Sequence, residues 1–252
     1  MRAGLLSVTF RKLPAEEIVE LCRQSHLETI EWGGDVHVPH GDLVRAAEIG
    51  SLTRDAGLSV SAYGSYYRLN VSEAKGLTFL SVLDTATALG APTIRVWAGD
   101  RNSAEADDTW RNAVESDALR CADLAGARGI TVAFEFHSGT LTDSPDSACE
   151  LLKATEHPFV RTFWQPPVGH SVESCLEGLR IIMPWILNVH AFHWWPDSST
   201  RLPLRAGAEH WRAYLKELRA AGHDPDVLLE FVRDDSPAAL RDDAEALLEI
   251  LN

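Results

Sequence analysis

At 252 residues, with 45% apolar and 24% charged residues, the chain has enough apolar material for a substantial core and an ordinary charge content. Its net charge of −14 argues against a nucleic-acid partner, because phosphate contacts need a surplus of Lys and Arg. No apolar run is long enough to span a bilayer as a helix, so no membrane partner is expected. The opening stretch MRAGLLSVTFRKLP lacks a signal-peptide layout, so a cytoplasmic location is expected.

Read along the chain, short apolar runs alternate with amphipathic stretches. A strand is predicted at 3–9 and a helix at 14–25, then a strand at 28–32 and a helix at 41–56. The pattern repeats with strands at 58–63 and 93–97, followed by helices at 73–89 and 104–128. Strands at 130–136 and 160–165 precede helices at 143–156 and 171–182; strands at 186–192 and 226–232 precede helices at 205–221 and 236–251. The runs are continuous rather than alternating, as in parallel strands covered by helices on the outside. Helix ends are punctuated. Asp143 and Ser144 precede a helix that begins with Pro145, and Ser236-Pro237 does the same before the last one. Gly57, Gly90, Gly129 and Gly222 stand where helices stop. Cys22, Cys121, Cys149 and Cys175 fall in predicted helices without CxxC spacing, which reads as reduced thiols packed in or near the core.

Eight strand–helix units in this length match a single (β/α)₈ TIM barrel occupying residues 1–252. The competing architecture is a doubly wound open sheet. It lacks its usual support, since no GxGxxG or GxxxxGK[ST] follows any strand.

In such a barrel, functional groups sit at the C-terminal ends of strands. The unusual polar residues of this chain collect there: Glu31 with Trp32, Arg95 with Trp97, Glu135 with His137, then Gln165, His190, His193 and Glu230. A buried carboxylate is costly unless it is paired or metal-bound. Glu135, Gln165, His190 and Glu230 together make an oxygen/nitrogen site for a divalent cation. His190 lies within its strand and is the expected ligand. His193, at odd spacing from it, turns the other way toward the pocket mouth. His137 is expected to support the site rather than ligate. The other reading of the carboxylates is a structural ion network, with Glu230 paired to Arg95 or Arg233. Trp32, Trp97, Trp164, Trp194 and Trp195 cluster at strand ends, where indoles either cover a sugar's C–H face or plug the barrel mouth. The loops after the second and third strands add His37, His40, Tyr66, Tyr67 and Arg68 as substrate contacts, but no basic loop cluster marks a phosphate site.

The segments AFEFH (133–137), TFWQPP (162–167), NVHAFHW and LLEFV, together with IEWGGDVHVP and IRVWAG, resemble the xylose-isomerase-like barrel superfamily over the whole chain, and within it the sugar phosphate isomerase/epimerase group. The resemblance implies a (β/α)₈ barrel that holds Mn²⁺, Mg²⁺, Co²⁺ or Zn²⁺ at the ends of its later strands. It puts Glu135, His190 and Glu230 on ligand positions. At the fourth position the group usually has Asp, and here it is Gln165, a neutral oxygen donor. The activity expected from the resemblance is that of an isomerase or epimerase of a small sugar or polyol ketone. It would work through an enediolate, with Glu135 and Glu230 as the acid/base pair. Substrate contacts are expected from Trp32, His37, Tyr66, Arg68, Arg95, Trp97, His137, His193 and Trp194. A lyase dehydrating a similar ketone, and a non-catalytic sugar-binding protein with a degenerate metal site, are the alternatives. A homo-oligomer is compatible with all three.

Overall fold

The computed structural model describes all residues from 1 to 252. Eight parallel strands close into a barrel: β1 Arg2–Leu6, β2 Thr29–Gly33, β3 Ser59–Arg68, β4 Thr93–Trp97, β5 Thr131–Glu135, β6 Val160–Trp164, β7 Ile186–Ala191 and β8 Asp226–Leu229. Neighbours in sequence are neighbours in space, and β8 pairs with β1 to close the ring, so the open-sheet alternative is excluded. Eight helices alternate with them: α1 Ala15–Gln24, α2 Leu43–Asp55, α3 Phe79–Leu89, α4 Asp108–Gly126, α5 Pro145–Ala154, α6 Val172–Ile182, α7 Ala208–Ala220 and α8 Pro237–Leu251. No helix is long and apolar enough to cross a membrane.

The helix boundaries follow local chemistry. The Ser144 and Ser236 side chains accept the backbone N–H groups of Ser147 and Ala239, capping α5 and α8, each with proline at the first helical position. Gly57, Gly90, Gly129 and Gly222 all have positive φ, the left-handed conformation that ends a helix and that glycine adopts without a Cβ clash. The four cysteines are free and buried.

Two cores result from the period-two alternation of the strands. Outward-facing residues such as Ile30, Ile94, Val132, Phe134 and Val189 pack under the helices in a cluster of 64 buried residues. Inside the barrel a small apolar layer of Ala62, Ala133, Phe163 and Leu228 stands apart. Below it, Ser61 Oγ donates to Asp226 at 2.7 Å and Asn188 Nδ2 donates to Ser61 at 3.0 Å, closing the N-terminal end of the barrel. The C-terminal end is left to the charged residues.

Of the predicted boundaries that move, three strand ends bear on the site. β1 stops at Leu6, where Ser7–Phe10 turn into a 3-10 segment. β8 stops at Leu229, leaving Glu230 one residue beyond it. β3 runs to Arg68 through a bulge between Gly64 and Tyr67, so Tyr66, Tyr67 and Arg68 belong to a strand and not to the loop after it.

One buried acid lies outside the barrel, on a helix. Asp243 on α8 accepts the Leu204 backbone N–H at 2.8 Å, and burial pushes its carboxyl up to about 6. Its ionisation therefore opposes folding. The penalty is absent below the ordinary aspartate range, grows as pH rises toward 6, and is complete above it. Asp243→Asn keeps an acceptor for Leu204 and removes the charge. It is expected to gain about 1–2 kcal/mol, a few degrees of Tm, at pH 8 and nothing at pH 4. Equal shifts at both pH values in thermal unfolding would remove ionisation as the cause.

Candidate metal centre

Strand phase decides which side chains meet at the C-terminal end of the barrel. Glu31 on β2, Arg95 on β4, Glu135 on β5 and His190 on β7 all face inward, each 3% exposed or less. Gln165 and Glu230 follow the last residues of β6 and β8 and turn into the same space. His190 Nδ1 lies 3.2 Å from Gln165 Oε1, 3.7 Å from Glu135 Oε1 and 3.8 Å from Glu230 Oε2. Ligand atoms of Glu135, His190 and Glu230 all fall within 4.8 Å of one another. Phe163 supports the imidazole from the apolar layer, edge-on at 5.5 Å.

The other imidazole nitrogen, Nε2, is 3.1 Å from Glu31 Oε2. Glu31 Oε1 in turn accepts from Arg95 Nε at 2.5 Å, and Arg95 Nη1 donates to Glu135 Oε2. Trp97 Nε1 donates to the same Glu135 oxygen at 2.5 Å. The four residues close a ring: Glu31, Arg95, Glu135, His190 and back to Glu31. Burial alone would raise the Glu31 carboxyl, but Arg95 and His190 hold it down at about 2. Burial would lower His190, and the surrounding carboxylates, Glu31 first, outweigh it and raise the imidazole. Burial raises Glu230, which accepts no side-chain hydrogen bond. β3 passes so close that a Cβ at Gly64 would lie 2.7 Å from Glu31 Oε1 and 2.8 Å from Arg95 Nη2, which leaves glycine as the residue that fits.

The donor set suits a divalent cation. Three oxygens and one nitrogen converge on one point, and edges of about 3–5 Å are what metal–ligand bonds near 2.0–2.6 Å produce. The nitrogen facing the oxygens has no proton donor opposite it, while its partner nitrogen is anchored on a carboxylate, as in metal-ligating histidines whose second N–H fixes the tautomer.

Several expected contacts lie elsewhere. Trp32 follows inward-facing Glu31 and so points outward. It is fully buried and donates to Thr53 on α2 at 3.1 Å, which corrects the expectation that it meets substrate. His37 packs against its edge, with Nδ1 at 3.0 Å from Ser7 Oγ and Nε2 at 3.2 Å from the Leu13 carbonyl, so it too is a packing residue. Trp164 points into the helix layer against Trp211 and Tyr214. The structural pairing of Glu230 with Arg95 or Arg233 does not form: Arg95 pairs with Glu31 and Glu135, and Arg233 with Asp234.

The remaining expected contacts surround the mouth. Tyr66, with φ of 54° after the bulge, lies over the Arg95 guanidinium at 5.1 Å. Trp97 is stacked between the Arg68 guanidinium at 3.9 Å and the His137 ring at 4.5 Å. His137 and Trp194 line an open cavity of about 520 Å³ beside Gln165, a size typical of small-molecule sites. His193 stands on a two-residue ribbon, against His210 and behind Trp194. Glu31 joins the site without a role expected from the sequence: it contacts His190 and Arg95. Its signal was available, because it is a carboxylate in the same inward phase as Glu135.

A family model described as a xylose isomerase-like TIM barrel matches residues 17–250. No curated protein sequence matches the chain. Among solved structures, the probable 3-DHS dehydratase AsbF, involved in petrobactin synthesis in Bacillus anthracis, is 20% identical with a TM-score of 0.81, covering 98% of this chain and 99% of that one. A xylose isomerase-like TIM barrel protein from Mycobacterium smegmatis, in complex with magnesium, is 17% identical with a TM-score of 0.71, covering 99% and 96%. D-Psicose 3-epimerase from Clostridium cellulolyticum, with D-tagatose, is 14% identical with a TM-score of 0.75, covering 100% and 98%. At these identities the likeness is one of fold.

Proposed function

The chain belongs to the xylose isomerase-like TIM barrel family, and on that premise we propose that it moves a proton at the carbon next to the carbonyl of a small polyhydroxy ketone, as a metal-dependent isomerase or epimerase. The observation that carries this reading is the convergence of Glu135, Gln165, His190 and Glu230 on one point at the barrel mouth. Those four residues would hold a divalent cation, which when bound would supply Lewis-acid polarisation of the substrate carbonyl. The protein's own groups do the rest. Glu31 fixes the imidazole of His190. Arg95 and Trp97 hold one oxygen of Glu135. Glu230, which accepts no side-chain hydrogen bond, is the carboxylate suited to take the α proton and return it at the neighbouring carbon. Glu135 is the group able to complete a transfer on the opposite face, but it must work against its contacts with Arg95 and Trp97.

That asymmetry also favours a second reading. One carboxylate free of hydrogen bonds is sufficient for a dehydration, in which the base that removes the α proton passes it to a departing hydroxyl. The fold likeness to a dehydratase is consistent with this. Metal-stripped protein reloaded with Mn²⁺ and incubated with hydroxy ketones in D₂O should incorporate deuterium at the α carbon. Loss of water from the product would assign a lyase, and no exchange with any ketone would remove the proposal.

Gln165 sets the charge of the centre. Asp at this position would add a third carboxylate facing the cation. Gln165→Asp is therefore expected to bind Mn²⁺ more tightly, on the order of 10–100-fold, the scale on which single polar changes around a metal act. Isothermal titration of metal-stripped protein measures it. Equal or weaker binding would take Gln165 out of the donor set.

A further inference from the structure

Arg68 is a cation without an ion-pair partner at the mouth of a site that is otherwise electrically closed. Within the ring, Arg95 offsets Glu31. A divalent cation would offset the two remaining carboxylates, Glu135 and Glu230, with Gln165 neutral and His190 neutral as a ligand. The inner site then sums to zero. Arg68 forms no ion pair: the nearby carboxylate of Asp100 pairs with Lys75 at 3.9 Å, and the one hydrogen bond from the Arg68 guanidinium is a long one, 3.4 Å, to the Gly99 carbonyl. Half-buried, it lies flat on Trp97, whose indole N–H touches Glu135. The guanidinium thus covers the face of the same indole whose edge holds Glu135, with most of its planar donor fork unused.

We propose that Arg68 binds a carboxylate or phosphate on the substrate, making this a site for an anionic hydroxy ketone and not a neutral sugar. The inference rests on the proton-transfer reading and names its substrate class. A hydroxy ketone bound at the centre through its oxygens would extend past Trp97, and an acidic group at its far end would meet the guanidinium fork in the bidentate geometry that Arg favours. Partial burial already lowers the Arg68 guanidinium below its ordinary value, with Asp100 and Glu135 only partly compensating, so an incoming anion relieves an existing desolvation. The β3 bulge is what brings Arg68 to this place, because the shift between Gly64 and Tyr67 turns it onto the Trp97 face. No basic cluster is involved, which is why the sequence alone carried no sign of an anion site.

The test uses three six-carbon ketones of matched backbone: D-fructose, D-fructose 6-phosphate and 5-keto-D-gluconate. Binding is measured by isothermal titration to the Mn²⁺-loaded protein. At least one anionic probe is expected to bind about tenfold or more tightly than D-fructose, the scale of one charge-assisted hydrogen bond. The two anions distinguish phosphate from carboxylate. In Arg68→Gln that ratio should fall to near one, and in Arg68→Lys, which keeps charge but not the fork, it should fall only in part. Equal binding of neutral and anionic probes by the parent chain would overturn the assignment and leave the proton-transfer reading standing. An anion preference that survives in Arg68→Gln would overturn Arg68 as its source. Failure of all three probes to bind, with Mn²⁺ bound, would overturn both readings.

Discussion

Glu230→Gln is expected to reduce α-proton exchange by on the order of 10²–10⁴-fold while leaving the barrel folded. Glu230 sits just past β8, with His190 Nδ1 3.8 Å from its Oε2. It accepts no side-chain hydrogen bond, its ion-pair partner is the His190 imidazole, and burial raises its carboxyl. The amide has the same shape and cannot carry the proton, so chemistry is lost without a packing defect. Glu135→Gln makes a useful contrast. It removes an acid/base candidate too, but it also removes the charge that pairs with Arg95, leaving only an amide oxygen to accept from Arg95 and Trp97, so activity and stability should fall together. Deuterium exchange with thermal unfolding of both variants separates the two residues. Near-full exchange by Glu230→Gln would rule it out as the proton carrier.

The parts of the site legible in sequence are those where a side chain contradicts its surroundings. Glu135, His190 and Glu230 interrupt apolar runs, and a barrel of eight β/α units puts the ends of those runs at one mouth. The misplaced residues share a different cause. Trp32 and Trp164 look like mouth residues because they end strands, yet each follows an inward-facing neighbour, Glu31 or Phe163, and so must point into the helix layer. Applying the strand period to Glu31 would have corrected Trp32. Tyr66 and Arg68, expected as substrate contacts, read as residues of the loop after the third strand and not of the strand itself, for a reason the pattern cannot carry. A bulge resets the phase of β3 between Gly64 and Tyr67, and nothing in SVSAYGSYYR announces where the extra residue falls. The ring joining Glu31, Arg95, Glu135 and His190 was likewise out of reach, because its members come from four strands spread over about 160 residues and the pairing depends on register around a closed barrel.

That ring makes Arg95→Met the substitution with the largest expected effect on stability. Arg95 is 1% exposed and neutralises two carboxylates, Glu31 and Glu135. Met matches much of its volume but leaves both acids buried without their cation. Breaking one side of a buried ion network costs about 3–5 kcal/mol, or roughly 6–20 °C of Tm at this chain length. The sign with pH is fixed by Glu31. Its carboxyl, held at about 2, contributes stability that is present above the ordinary glutamate range and is lost as pH falls toward 2. Arg95→Met removes most of that contribution, so the difference between parent and variant should be greatest near pH 7–8 and shrink on acidification, as the unpaired carboxylates take up protons. Metal should act in the opposite direction. Without the guanidinium, the two carboxylates exert a stronger pull on a divalent cation, so Mn²⁺ is expected to bind the variant more tightly and to restore part of its stability by mass action. Thermal unfolding with EDTA and with Mn²⁺, at pH 7.5 and pH 4, tests both halves. A deficit unchanged by pH and by metal would mean that Arg95 serves the barrel as packing volume, and that the ring is not an electrostatic unit.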